Sequence, residues 1–187
     1  LNDEINIYTM TAHLNIRKET SADHKHVFTL ITKAFSALEH SDHKEQFLVE
    51  RLRNSTAFIP ELSLVAEIDN RIVGYILLTG ICIKNGIREW PSLALAPVAV
   101  DPDFQGQGIG GKLIMAAHRI AAESGHKSVI LLGHAEYYPK FGYVPTVNFG
   151  ISLPFEVPAE NCMAVELAPK GLEGVSGTVE YPHEFFE

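Results

Sequence analysis

The chain has 187 residues, 46% of them hydrophobic and 20% charged, which is the composition of a folded globular protein and excludes a disordered one. That length suits a single domain over 1–187, with a core over about 14–153 and a C-terminal β extension over 154–187. Fifteen basic against 23 acidic residues leave a formal charge of −8, which disfavours a nucleic-acid partner and is compatible with a cationic substrate.

The first residues, Leu1-Asn2-Asp3-Glu4, are acidic where a signal peptide is basic. Leu14-Asn15-Ile16-Arg17 alternates like a short strand. Ser21 and Asp23 offer N-cap oxygens to a helix whose apolar residues, Val27, Leu30, Ile31, Ala34 and Phe35, recur at helical spacing. Ser41-Asp42 opens a second helix with Phe47, Leu48 and Leu52 as its apolar stripe. Leu62 to Ile68 and Ile72 to Ile83 form a hairpin about Asp69-Asn70-Arg71, and Asn85-Gly86 turns the chain again. Leu93 to Val100 is a nearly all-apolar strand of the kind buried on both faces. A glycine-rich turn over 101–111 leads into a helix carrying Ile109, Leu113, Ala116, Ala117, Ile120 and Ala121, which stops at Gly125. Ser128 to Leu132 is a further buried strand, so strand, helix and strand make a right-handed parallel crossover. Beyond Pro154, Met163 to Leu167 and Thr178 to Tyr181 read as short strands. The order implies a mixed sheet with helices packed on it. No apolar run reaches the ~18 residues a membrane helix needs. Cys82 and Cys162 lie in apolar segments, as buried free thiols do in a reducing cytoplasm.

The loop Gln105-Gly106-Gln107-Gly108-Ile109-Gly110-Gly111-Lys112 joins strand to helix. Glycines let a backbone approach an anion closely, and the first turn of a helix offers free N–H donors at its positive end. Gly106, Gly108 and Gly111 satisfy the dinucleotide pattern G-x-G-x-x-G, but five residues separate them from the strand, and the next strand ends in Leu132-Gly133-His134 without the ribose-binding acid. Gly106 to Lys112 also fits G-x-x-x-x-G-K of a P-loop, yet Leu113 stands where a magnesium-binding hydroxyl is needed.

A third fit accounts for more residues. Val98-Ala99-Val100-Asp101-Pro102 followed by Gln105-x-x-Gly108-x-Gly110 resembles the acetyl-coenzyme A motif of the GNAT N-acetyltransferase superfamily. Tyr137-Tyr138-Pro139-Lys140-Phe141-Gly142-Tyr143 is similar to the family's Y-x-K-x-G-F segment after the following strand. The stretches 132–138 and 172–179 look like the YhbS-like bacterial branch. The resemblance implies an α/β fold with a mixed, mostly antiparallel sheet, a parallel splayed strand pair and helices on both faces. It implies acetyl-CoA as co-substrate, with no metal. It also implies cofactor binding by Val98, Ala99 and Val100 along the strand, and by Gln105, Gly106, Gln107, Gly108, Ile109, Gly110, Gly111 and Lys112 in the loop. Pro97, lacking an N–H, marks a bulge or edge where the strands part.

By the same motif, the resemblance implies that Tyr138 is the acid that protonates the departing thiolate; the alternative is that it packs under the helix, as Tyr137 and Phe141 are expected to. Some family members carry a glutamate as base where Ala94 stands; Glu89, Glu136 and His134 are the alternatives. Trp90-Pro91 either lines the acceptor site or anchors the preceding loop. His24-x-His26 and His40-x-x-His43 lack companions for a metal site and read as solvated. The function implied is acetyl transfer to a primary amine of a small molecule or peptide in a ternary complex; the alternative is a non-catalytic acyl-CoA-binding sensor. The C-terminal strands offer a surface for a possible homodimer.

Overall fold

The computed structural model describes residues 13–37 and 42–187. The acidic start Leu1 to Glu4, His40 and the capping candidate Ser41 lie outside the described residues. The elements run β1 (Asn15–Lys18), α1 (His24–Phe35), α2 (Glu45–Arg53), β2 (Phe58–Ile68), β3 (Arg71–Asn85), β4 (Arg88–Val100), α3 (Ile109–Glu123), β5 (Ser128–Leu132), β6 (Val144–Pro145), β7 (Ile151–Ser152), β8 (Cys162–Glu166) and β9 (Gly177–Glu180). One sheet in the order β1-β2-β3-β4-β5-β8-β6 joins them, and β9 pairs with both β3 and β7. Its ladders are antiparallel except β4–β5 and β7–β9. Both tail strands expected from the sequence are therefore built into this sheet.

Period-two alternation along β3 and β4 sends side chains to two different cores. Ile76, Leu78, Leu93 and Leu95 pack with Leu113, Ile114 and Ala117 of α3. Val65, Tyr75, Leu77 and Ala99 pack on the other face with Val27 and Ile31 of α1 and Val49 and Leu52 of α2. Helices thus cover both faces. No helix among the described residues is long and apolar enough to cross a membrane.

Two features of β4 open the sheet. The register with β3 passes from Ile76↔Val98 to Leu78↔Leu95, so β4 spends an extra residue at the cis Ala96–Pro97 step. This is the bulge expected from Pro97. The parallel ladder to β5 contains only Leu93↔Val129 and Ala94↔Ile130. Beyond Ala94 the two strands diverge, giving the splayed pair.

Several sequence expectations need correction. The stripe of α2 is Gln46, Val49 and Leu52, with Phe47 exposed and set edge-on to Phe28. Asp42 contributes by accepting the Lys44 N–H at 3.0 Å. Near α1, Asp23 does not cap forward. Its carboxylate accepts the N–H and hydroxyl of Thr20 and a bidentate pair from Arg17, which holds it well below the ordinary carboxylate pKa. Strand β2 begins at Phe58, not Leu62, because a register shift between Phe58 and Ser63 accommodates Pro60.

Candidate active site

The turn after β4 is clamped before it reaches the glycines. Asp101 is buried, and its carboxylate accepts from Lys33 Nζ (2.7 Å), Arg71 Nη2 (2.7 Å) and the Asp103 N–H (3.0 Å). Burial alone would raise its pKa, but Lys33, the Asp103 N–H and Arg71 outweigh burial and lower it. Gln105 Nε2 donates to the Val100 carbonyl at 3.1 Å, closing the turn onto the end of β4. The chain then passes through Gly106 (φ +76°) and Gly108 (φ +77°), left-handed conformations that a β-carbon resists. The first helical bond of α3 runs from the Lys112 N–H to the Gly108 carbonyl. The N–H groups of Ile109, Gly110 and Gly111 precede it and stand free of the helix ladder at the positive end of its dipole.

Gly110 and Gly111 have a different task. A β-carbon on Gly110 would stand 3.1 Å from the Tyr137 hydroxyl, and one on Gly111 would stand 3.2 Å from the Phe141 ring. Their bareness lets the aromatic segment after β5 close onto the first turn of α3. Between the two lies a groove of about 740 Å³ lined by Val98, Val100, Gln105, Gly106, Gly108, Ile109, Gly110, Gly111 and Tyr138, with Phe104, His134, Tyr137, Lys140 and Phe141.

Not every expected residue reaches this groove. Ala99 turns its side chain to α1 and α2, while Gln107 and Lys112 are exposed outside the lining. The cation beside the groove is instead Lys140, its Nζ 3.8 Å from the Tyr137 ring centroid. The motif contained Lys140, but only the fold of the turn shows which lysine faces inward. Of the candidate bases, His134 lines the groove. Glu89 pairs with Lys84, Glu136 is exposed, and Ala94 lies buried in the sheet. Trp90 packs near Leu172 and Val175, outside the groove, as an anchor would.

Tyr138 is 8% exposed, and one side of its ring belongs to the core under α3. It meets Tyr137 edge-on at 5.1 Å and Tyr143 at 5.6 Å. A β-carbon on Gly133 would stand 2.3 Å from its Cε2, so glycine there is a condition for the ring's position. Burial first, then Tyr137, pushes its pKa up to about 12, so it carries its proton at neutral pH.

Beneath it, the Tyr143 hydroxyl lies 2.9 Å from His118 Nε2, and burial holds the His118 pKa down to about 4. A histidine with a folded pKa below its unfolded value leaves stability intact above about pH 6.5 and removes it as pH falls toward 4. The full loss is roughly 3 kcal/mol. Denaturation midpoints at pH 7, 5.5 and 4 should show this decline, and His118→Gln, which can still accept from Tyr143, should remove it. An equal decline in the variant would assign the acid sensitivity elsewhere.

The Acetyltransferase (GNAT) domain family matches residues 60–145 of the chain. The chain is 32% identical over 150 residues to the Escherichia coli K12 N-acetyltransferase YjhQ, covering 80% of each. It is 30% identical over 172 residues to the E. coli N-acetyltransferase YhbS, covering 91% of this chain and 97% of the relative. Among solved structures, E. coli YhbS in complex with CoA superposes with a TM-score of 0.85 at 25% identity, over 94% of this chain and 93% of the other. A Brucella melitensis GNAT acetyltransferase in complex with acetyl-CoA gives 0.77 at 30% identity, over 93% and 99%.

Proposed function

The chain belongs to the GNAT family of N-acetyltransferases, on its YhbS-like branch, and on that premise we propose that it moves the acetyl group of acetyl-CoA directly to a primary amine. The observation that carries this reading is one continuous groove with helix N–H donors at one end and a protonated, buried tyrosine at the other. The loop 105–111 and the first turn of α3 bind the pyrophosphate through backbone N–H groups, and Lys140 adds charge beside them. The stretch Val98 to Val100, which β5 has left unpaired on one side, accepts the pantetheine arm as a strand would. A backbone N–H near Val98 steadies the negative charge that develops on the thioester oxygen. Tyr138 gives its proton to the departing sulfur. His134, which lines the groove, passes the amine's proton to water.

Direct transfer is supported by the cysteines. Burial raises the pKa of both Cys82 and Cys162, which leaves them poor thiolate nucleophiles, and neither lines the groove. Both are free, as in a protein of the reducing cytoplasm.

Thiol release from acetyl-CoA over a panel of primary amines tests this proposal. Amine-dependent release supports transfer; saturable CoA binding with no release on any amine would replace it with the sensor reading. Lys140→Ala should weaken CoA binding by about three- to tenfold at low salt, and the difference should shrink as ionic strength rises. A deficit independent of salt would assign Lys140 a packing role on Tyr137 instead.

A further inference from the structure

Resting on the transferase reading, we infer that the acceptor is a primary amine carrying an apolar group about the size of a benzene ring or a branched alkyl chain. The opening between β4 and β5 contains a second cavity, of about 220 Å³, distinct from the groove. Leu95 and Leu131 come to it from the core under α3, and Ala94 and Ile130 from the core on the opposite face. Residues from both faces meet there only because the strands have parted.

The walls of this cavity define the chemistry. Leu48 of α2, Leu132 of β5, Phe155, Tyr181 and Phe185 complete the lining, and every lining side chain is aliphatic or aromatic. The single polar group among them, the Tyr181 hydroxyl, stays protonated because burial raises its pKa. The aromatic wall is braced internally, with Phe155–Tyr181 centroids at 5.2 Å and Tyr181–Phe185 at 4.9 Å. It is also tied to α2, where Arg51 donates to the carbonyls of Glu184 and Glu187. An apolar cavity of about 150 Å³ is enough to take up benzene, so this one admits a ring or a branched alkyl group with its first methylenes.

A polycation or an aminoglycoside would bring several charges against walls that hold no acidic side chain to pair them. The same walls bear on the absent carboxylate base. An ammonium group moved into apolar surroundings loses proton affinity, so the amine sheds its proton to water before it attacks. The balance then closes: a C–N bond forms, the C–S bond breaks, and the sulfur takes the Tyr138 proton. The amide nitrogen's remaining excess proton leaves to solvent, and the Tyr138 phenolate takes a proton back from solvent, which restores the acid for the next turnover.

The test compares 2-phenylethylamine and 3-methylbutylamine with ethanolamine and spermidine, reading kcat/KM for thiol release with acetyl-CoA. It also reads the affinity of each amine for the protein–CoA complex by calorimetry. The apolar amines should exceed the polar ones by tenfold or more in both. Leu132 is 45% exposed at the lip, so Leu132→Glu should fold normally; it should lower the preference for apolar amines at least fivefold and leave CoA affinity unchanged. A preference for spermidine, or preserved selectivity in Leu132→Glu, would overturn the inference while leaving acetyl transfer standing. Faster turnover of hexanoyl-CoA than acetyl-CoA on ethanolamine would also overturn it, by assigning the cavity to the acyl chain. Tight, Leu132-sensitive binding of phenylethylamine without turnover would retain the apolar pocket and sink the transferase reading alone.

Discussion

Tyr138→Phe should lower kcat for thiol release by about 10²- to 10³-fold and leave CoA affinity within a factor of about two. The substitution removes one oxygen and keeps the ring that packs against Gly133, Tyr137 and Tyr143, so folding should survive and the loss should fall on the chemical step. The raised pKa of Tyr138, about 12 through burial and then Tyr137, does not weaken the acid role proposed for it. On the proposed mechanism the sulfur departs beside the buried Tyr138 ring, where desolvation would raise its own proton affinity as well. An acid must be protonated to act, so activity is lost only as pH rises through that pKa. The wild-type rate should therefore hold beyond pH 10, where an ordinary tyrosine would already be half ionised. A falling limb near pH 10 in the wild type, or a variant that retains full kcat, would remove Tyr138 from the reaction. Gly133→Ala offers a geometric counterpart: its β-carbon must displace the ring, so it should lose both kcat and stability.

The contrast between Tyr138 and its neighbours shows where sequence spacing carries information and where it stops. The loop was legible because its constraint is local: Gly106 and Gly108 take positive φ within a strand–turn–helix whose apolar pattern frames them. Pro97 likewise announced the departure of β4 from regular pairing, since a missing N–H is a property of the residue itself. The functions of Gly110 and Gly111 were not legible, because the Phe141 and Tyr137 side chains that need their bareness arrive more than 25 positions later. Lys112 and Lys140 illustrate the same limit. Both lie within two positions of a motif glycine, but the first turn of α3 points one outward while the turn after β5 lays the other over Tyr137. The phase of α2 failed for a related reason: Phe47 is apolar yet set against Phe28 at the surface, while Gln46 turns inward. Composition gave no hint of the apolar cavity, whose walls are drawn from α2, β4, β5 and the last seven residues together with Phe155. The formal charge of −8 suggested attraction of cations, but the acids nearest the loop, Asp101 and Asp103, are paired with Lys33 and Arg71.

Gly108→Val should weaken CoA binding by a hundredfold or more while the fold persists. Gly108 is the residue from which α3 starts, at φ +77° and ψ 8°, a conformation that costs a branched L-residue roughly 2 kcal/mol or more. Apart from its chain neighbours, no atom lies within 4 Å of a β-carbon built there, so that carbon meets no clash with the rest of the protein. The strain is relieved most cheaply by turning φ negative, which swings the peptide to Ile109 and re-aims the N–H groups that precede the first helical bond. Losing two charge-assisted hydrogen bonds to phosphate, at about 1.5–3 kcal/mol each, accounts for the expected factor. Thermal midpoints and CoA titration together check it: a large loss of affinity with a small change in midpoint is the expected pair. Gly108→Asn separates the two physical causes, because asparagine tolerates the left-handed region yet still adds a side chain at the groove mouth. Binding retained by Asn and lost by Val assigns the effect to backbone direction. Equal loss in both assigns it to bulk at the phosphate site, and full affinity in Val would exclude the loop from CoA recognition.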